Sequence, residues 1–165
     1  MITIIAGTNR PNSMTLRVAR NYKQVFEEAG AEVQLLSLEG VQVSDPAVVK
    51  QLEQQYLIPT QKFVLVMPEY NGSFPGILKY LMDSCDIRHC WWYKKAMLVG
   101  LADGRAGNLR GLDHMTNVLN YLKVTVLPNK IPISQINREL DENGAFTQEL
   151  TINVVKHQVR EFLEF

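Results

Sequence analysis

Charge of one sign, cysteine and long apolar runs are all scarce in this chain of 165 residues. The 17 basic and 17 acidic residues balance, so no general attraction to nucleic acid or to an anionic membrane is expected. Two cysteines, Cys85 and Cys90, are too few for a disulfide framework, and we expect a reducing compartment, the cytoplasm. No apolar run approaches the roughly 18 residues that span a bilayer. The short apolar start, residues 2–6, predicts a strand rather than a secretory signal.

Apolar residues are plentiful, at 46% of the chain, which is enough for one sizeable core. Short apolar runs predict strands near residues 2–6, 32–37, 63–67, 96–101 and 125–127. Helical stripes lie between these runs, which favours an α/β fold with helices on both faces of a parallel sheet. We predict a flavodoxin-like, five-stranded sheet in the order 2-1-3-4-5, within a single domain over residues 1–165. The polar segment 130–144 is either a surface loop or a small irregular insert.

The first candidate loop, residues 7–15, separates the first strand from the first helix. Hydroxyl groups, the guanidinium of Arg10 and the free N–H groups of a helix start are donors that suit a phosphate. The hydroxyls belong to Thr8, Ser13 and Thr15. The loop matches neither the Walker pattern nor G-x-G-x-x-G, which disfavours a nucleoside triphosphate and a Rossmann dinucleotide. An ordinary turn with a Ser cap explains the same residues.

Two further loops follow the third and fourth strands. Residues 68–76 place Pro, Asn and Gly between a buried strand and a helix, so they offer free backbone N–H and C=O groups to the edge of a planar polar ring. Residues 102–108 hold two glycines, which let the backbone approach a ligand closely. A Pro- and Gly-rich connection and a flexible turn are the purely structural alternatives.

The three loops are more informative together than apart. In the order 2-1-3-4-5, the first and third strands flank the switch point of the sheet, and the fourth lies beside the third. The loops that follow these strands therefore meet at one edge of the sheet. One ligand with a phosphate at the first loop and a flat ring at the other two has the shape of FMN.

Three motifs in these loops resemble those of the NADPH-dependent FMN reductase family. The first family motif is approximately G-S-x-R-x-x-S, and residues 7–13 read G-T-N-R-P-N-S. The second is P-E-Y-N-x-S-x-P-G-x-L-K-N-x-x-D, and residues 68–83 read P-E-Y-N-G-S-F-P-G-I-L-K-Y-L-M-D. The third is roughly S-x-G-x-x-G-G, where residues 102–108 read A-D-G-R-A-G-N. In the third motif, Ala102 and Asn108 replace a Ser and a Gly of the family pattern.

The resemblance implies an FMN-binding oxidoreductase and the residues that hold the cofactor. In this family the first loop binds the FMN phosphate, the second holds the ring and ribityl chain, and the third faces the ring. The residues implied are Thr8, Arg10, Ser13, Met14, Thr15, Pro68, Glu69, Tyr70, Asn71, Gly72, Gly104 and Gly107. NADPH or NADH would pass hydride to FMN, which would then reduce a flavin, quinone, azo dye or similar small-molecule acceptor. Family members usually form homodimers or homotetramers, so we expect the same here.

Two other functions stay open at this point. A flavodoxin-like electron carrier would bind FMN but oxidise NAD(P)H poorly; such carriers usually show T-x-T-G-x-T and marked acidity, which this chain lacks. A binding module that has lost FMN is the third possibility, because the third motif is altered. We assign no catalytic acid or base, and we expect His114 and His157 on solvated helix faces.

Two further groups of residues lie outside the three loops. Cys85, His89 and Cys90 lack a fourth ligand for zinc, so ordinary buried cysteines are favoured over a metal or redox site. The aromatic residues at 91–93 are core, a subunit contact or a wall over the flavin.

Overall fold

The computed structural model describes residues 1–165, which form six strands and six α-helices. The strands are β1 Ile2–Ala6, β2 Val33–Ser37, β3 Lys62–Pro68, β4 Lys95–Leu101, β5 Thr125–Val126 and β6 Ile131–Ile133. The helices are α1 Met14–Glu28, α2 Pro46–Leu52, α3 Gly76–Ser84, α4 Ile87–Cys90, α5 Leu109–Tyr121 and α6 Glu149–Glu164. A π-helical turn, Glu53–Leu57, continues α2, and a 3-10 turn, Ile136–Arg138, lies between β6 and α6.

The sheet is parallel and has the order β2-β1-β3-β4-β5, which confirms the predicted flavodoxin-like topology. The fifth position differs from the prediction because it is shared by two short strands. β5 pairs with the start of β4 and β6 pairs with its end. Pro128 lies between them and has no N–H group for the ladder, so the strand predicted over residues 125–127 ends at Val126. The polar segment 130–144 therefore contains β6 and the 3-10 turn.

Both faces of the sheet are covered, as the short non-alternating strands predicted. Successive strand residues point to opposite faces, so Ile5 and Leu65 pack towards α2, α3 and α5, while Ile4 and Val64 pack towards α1 and α6. All four side chains are fully buried. Each such burial contributes about 1.5–3 kcal/mol of transfer free energy. None of the helices combines the length and apolar character that a bilayer crossing requires.

A buried polar network joins α1, α6 and β4 behind the sheet. The hydroxyl of Tyr22 donates to Oε1 of Gln158 at 2.8 Å. Nε2 of Gln158 donates to the carbonyl oxygens of Leu98, at 3.2 Å, and Asn129, at 2.8 Å. Complete burial raises the pKa of Tyr22 above its ordinary value of 10.0. Because every polar atom of the network has a partner, it fixes α6 against the sheet without an unpaired group.

Candidate functional site

A cavity of about 500 Å³ lies at the carboxyl ends of β1, β3 and β4. Its size falls within the range typical of small-molecule and cofactor sites. The strand order places it at the switch point of the sheet. Its lining residues are Thr8, Arg10, Pro11, Ser13, Met14, Thr15, Pro68, Glu69, Tyr70, Asn71, Gly72, Leu101, Ala102, Asp103, Gly104 and Ile136. All of the site residues predicted from the sequence are among them except Gly107.

The first loop ends in a capped helix with free donors. Oγ of Ser13, the N-cap of α1, accepts a hydrogen bond from the N–H of Leu16 at 3.1 Å. The N–H groups of Ser13, Met14 and Thr15 have no acceptor within the chain. Together with the helix dipole, these three N–H groups form a site suited to an anion.

The second loop is a tight turn of the type that an Asn-Gly pair favours. Asn71 and Gly72 both have positive φ, at 51° and 77°. Tyr70 and Ser73 bracket them and exchange two backbone hydrogen bonds, at 2.8 and 3.1 Å. These angles match a type I′ turn. The N–H groups of Asn71 and Gly72 remain free and border the cavity, where they can donate to a ligand.

The first and second loops are in direct contact, although they are about 60 residues apart in the chain. Oγ1 of Thr8 and the hydroxyl oxygen of Tyr70 are 2.5 Å apart. The guanidinium carbon of Arg10 lies 4.2 Å from the centroid of the Tyr70 ring, a cation–π arrangement. The structure therefore brings the predicted phosphate loop and the predicted ring loop to the same side of the molecule.

The two glycines of the third loop have different surroundings. Gly104 lines the cavity and has open space where a Cβ would lie. Gly107 has a φ of +57°, and a Cβ there would lie 2.6 Å from the carbonyl carbon of Pro132. Its position is therefore explained by close packing against β6, and it does not border the cavity.

Asn108, which replaces a glycine of the family pattern, is the N-cap of α5. It adopts a left-handed conformation with a φ of 70°, which Asn tolerates better than most residues. Its Oδ1 accepts from the N–H of Gly111 at 3.1 Å, and its Nδ2 donates to the carbonyl of Met67 at 3.0 Å. The substitution thus ties the start of α5 to the end of β3.

Two lining residues, Leu101 and Ile136, lie outside the three loops predicted from the sequence. Ile136 lines the cavity, and its N–H donates to the carbonyl of Ala102 at 3.1 Å. The N–H of Gln135 likewise donates to the carbonyl of Gly104 at 3.1 Å. No local signal identifies Ile136, because it follows the irregular segment after β6. Leu101 was identifiable, since the last residue of a strand borders this edge.

The remaining candidates lie outside the cavity. None of the aromatic residues at 91–93 lines it. Trp91 is fully buried, with its ring centroid 4.7 Å from that of Phe63, so it is core, whereas the Tyr93 side chain is exposed. His114 is exposed on α5, and its Nδ1 is 2.9 Å from Oγ of Ser73. His157 is also exposed and pairs with Glu161 at 3.5 Å.

The family model described as NADPH-dependent FMN reductase matches residues 1–138. A 2-hydroxy-1,4-benzoquinone reductase from Burkholderia sp. is 26% identical over 123 residues, 72% of this chain and 62% of that protein. The NADPH-dependent FMN reductase ArsH from Rhizobium meliloti (strain 1021) is 24% identical, with 99% of this chain and 71% of that protein covered.

Solved structures confirm the fold. FerB, a flavoenzyme NAD(P)H:(acceptor) oxidoreductase from Paracoccus denitrificans, has a TM-score of 0.82 at 18% identity. The alignment covers 99% of this chain and 94% of that chain. The family match agrees with the resemblance seen in the three motifs. The chain belongs to the NADPH-dependent FMN reductase family, a family of FMN-containing, NAD(P)H-dependent oxidoreductases.

Proposed function

We propose that this chain is an FMN-dependent NAD(P)H oxidoreductase, which passes hydride from NADPH or NADH to FMN and then reduces a small-molecule acceptor. The acceptor class is a flavin, quinone, azo compound or similar flat molecule. The observation that carries the proposal is the pairing, across one cavity, of an anion site at α1 with free N–H groups at the turn of Asn71 and Gly72. FMN combines a phosphate with a flat polar ring, so it fits this donor set.

The phosphate end is assigned to the first loop. Residues 13–15, whose N–H groups have no acceptor in the chain, line the cavity at the positive end of the α1 dipole. The hydroxyls of Thr8 and Ser13 add neutral donors, and Arg10 adds the positive charge. Arginine offers two parallel N–H donors to a phosphate, which makes it the strongest single contributor in this loop.

The ring end is assigned to the second and third loops. The N–H groups of Asn71 and Gly72 can donate to acceptor atoms at the ring edge. When bound, FMN supplies the ring that takes up hydride and passes electrons to the acceptor. Because these donors are fixed, they would stabilise negative charge on a bound flavin ring without reorganising. Pro68, Glu69 and Tyr70 complete the wall, and Gly104, which also lines the cavity, has open space where a Cβ would lie.

We also propose that the chain forms a homodimer or homotetramer and resides in the cytoplasm. Tyr93 and Tyr121 are 76% and 83% exposed, and tyrosine is enriched at subunit interfaces. The N–H of Tyr93 donates to the carbonyl of Lys123, two residues after Tyr121, at 3.0 Å. A reducing compartment agrees with two free cysteines. Light scattering of the purified protein measures the oligomeric state directly.

The decisive experiment loads the purified chain with FMN and adds NADPH or NADH without oxygen. Loss of the yellow flavin colour within seconds, followed by its return when a quinone is added, supports the proposal. A yellow protein that NAD(P)H does not bleach is a carrier, and a protein that takes up no FMN is a binding module of another kind. Either result overturns the enzymatic proposal.

A further inference from the structure

The side chain of Tyr70 contacts the first loop, although the motif resemblance assigns this residue to the ring end of the site. Its hydroxyl oxygen lies 2.5 Å from Oγ1 of Thr8, and its ring centroid lies 4.2 Å from the guanidinium carbon of Arg10. Its backbone belongs to the second loop, where its N–H and carbonyl groups bond to Ser73 at 2.8 and 3.1 Å. The side chain and the backbone of Tyr70 therefore serve different loops.

The hydroxyl of Thr8 is held by two donors. Thr8 is buried, and its Oγ1 accepts a hydrogen bond from the backbone N–H of Arg10 at 3.3 Å. A phenol is a stronger acid than an alcohol, so we assign Tyr70 as the donor in its contact with Thr8. A hydroxyl group has two acceptor lone pairs and one proton. With both lone pairs occupied, the proton of Thr8 is left to bind a ligand in the cavity, which Thr8 lines.

The ring of Tyr70 also holds the exposed side chain of Arg10 at the cavity. Arg10 forms no ion pair within the chain. A guanidinium carries five N–H donors, so contact with one aromatic ring leaves most of them for an anion. An arginine that is already held in place loses less rotamer freedom when it binds that anion. The contact with Tyr70 therefore prepares Arg10 for a phosphate.

We propose that Tyr70 is a positioning residue for the FMN phosphate, because it holds the Thr8 hydroxyl and the Arg10 guanidinium in place before the cofactor binds. The inference rests on the proposed function, since it takes the first loop as the phosphate end of the site. Its new content is that a side chain of the second loop controls how strongly the protein prefers FMN to riboflavin, which lacks the phosphate.

The test compares the Kd values of FMN and riboflavin by fluorescence titration, because the two flavins differ only in the phosphate. The wild type should bind FMN about tenfold more tightly than riboflavin, or better. Tyr70→Phe removes the donor to Thr8 and should weaken FMN binding about fivefold. Tyr70→Leu also removes the aromatic face and should weaken it about fivefold further. The Kd for riboflavin should stay within about twofold of wild type in both variants, because the bonds to Ser73 come from the backbone.

A double-mutant cycle tests whether the ring acts through Arg10. In an Arg10→Ala background, Tyr70→Phe and Tyr70→Leu should bind FMN equally, because no guanidinium remains for the ring to hold. In a Thr8→Val background, Tyr70→Phe should have no further effect on the Kd for FMN. Tyr80→Leu is the matched control and should leave both Kd values unchanged, because Tyr80 is exposed on α3 and does not line the cavity. Circular dichroism verifies that each variant is folded.

The outcomes separate this inference from the proposed function. If the wild type prefers FMN and Tyr70→Leu keeps the same ratio of the two Kd values, the positioning role is wrong and the phosphate assignment stands. A residue that only forms the cavity wall gives this result, because its loss weakens both flavins alike. The positioning role is also wrong if Tyr70→Phe and Tyr70→Leu still differ in the Arg10→Ala background. If the wild type binds both flavins equally, the phosphate assignment falls with this inference, and a protein that takes up neither flavin overturns the proposed function as well.

Discussion

Replacing Gly107 by Ala tests whether the third loop is fixed by packing against β6. The residue has a φ of +57°, so any side chain there adopts an unfavourable left-handed conformation. The new Cβ would lie 2.6 Å from the carbonyl carbon of Pro132 and 2.9 Å from the nitrogen of Ile133. Both are backbone atoms that cannot rotate away. The loop or β6 must therefore shift.

The expected cost follows from two terms. The left-handed conformation costs an L-residue about 1–2 kcal/mol, and overpacking at a close contact costs about 1–3 kcal/mol. The sum is about 2–5 kcal/mol. In a protein of this size, each kcal/mol shifts Tm by about 2–4 °C, so the expected fall in Tm is about 4–20 °C.

Gly104→Ala is the matched control, because Gly104 lies in the same loop and its Cβ would meet nothing within 4 Å. Its Tm should stay within about 2 °C of wild type, since substitutions in open space change stability by about 0.5 kcal/mol at most. Thermal unfolding followed by circular dichroism measures both variants. FMN titration of the folded proteins then shows whether a methyl group at Gly104, which lines the cavity, weakens binding. If Gly107→Ala is as stable as Gly104→Ala, the assignment of Gly107 to packing against β6 is refuted.

Three further predictions concern the cofactor loop and the core. Arg10→Ala should raise the Kd for FMN at least tenfold, because it removes a charged hydrogen bond worth about 1.5–3 kcal/mol. Arg20→Ala, on the outer side of α1, is the control and should leave the Kd unchanged. Equal Kd values for the two variants would refute the phosphate assignment. Tyr22→Phe should lower the free energy of unfolding by about 1–3 kcal/mol in urea titration, because Oε1 of Gln158 loses its donor. Burial raises the pKa of Tyr22, so the folded state keeps a proton that the unfolded state releases above pH 10.0. The free energy of unfolding of the wild type should therefore fall above that pH, and that of Tyr22→Phe should fall less. Lys62→Met should cost about 1 kcal/mol in the same titration, because Nζ of Lys62 donates to two carbonyls at the end of α6, at 2.9 and 3.0 Å.

The strand order and the site were predictable because their signals are local. Buried parallel strands appear as short apolar runs, and the loops that follow them carry the motifs. The convergence of Thr8, Arg10 and Tyr70 follows from the sheet order alone. The assignment of these residues to FMN stays a prediction, as does the single-domain organisation.

What could not be predicted depends on contacts between distant segments. Ile136 reaches the cavity only because its N–H bonds to Ala102, far away in the sequence. Gly107 matches a motif glycine, but a motif does not say whether the space beside a glycine holds a ligand or Pro132. The hydrogen bond from the indole N–H of Trp91 to Sγ of Cys85 likewise depends on where the fold positions the indole.

The division of the fifth strand has a consequence for solubility. A long, regular outer strand presents a row of unpaired N–H and C=O groups that can recruit a strand from another molecule. In this protein the edge strand next to β4 is divided into two residues of β5 and three of β6. The middle residue of β6 is an exposed proline, Pro132. Proline cannot donate to a ladder, and the gap at Pro128 keeps the two pieces from acting as one template. This side of the sheet is thereby protected from strand addition and the aggregation that follows it.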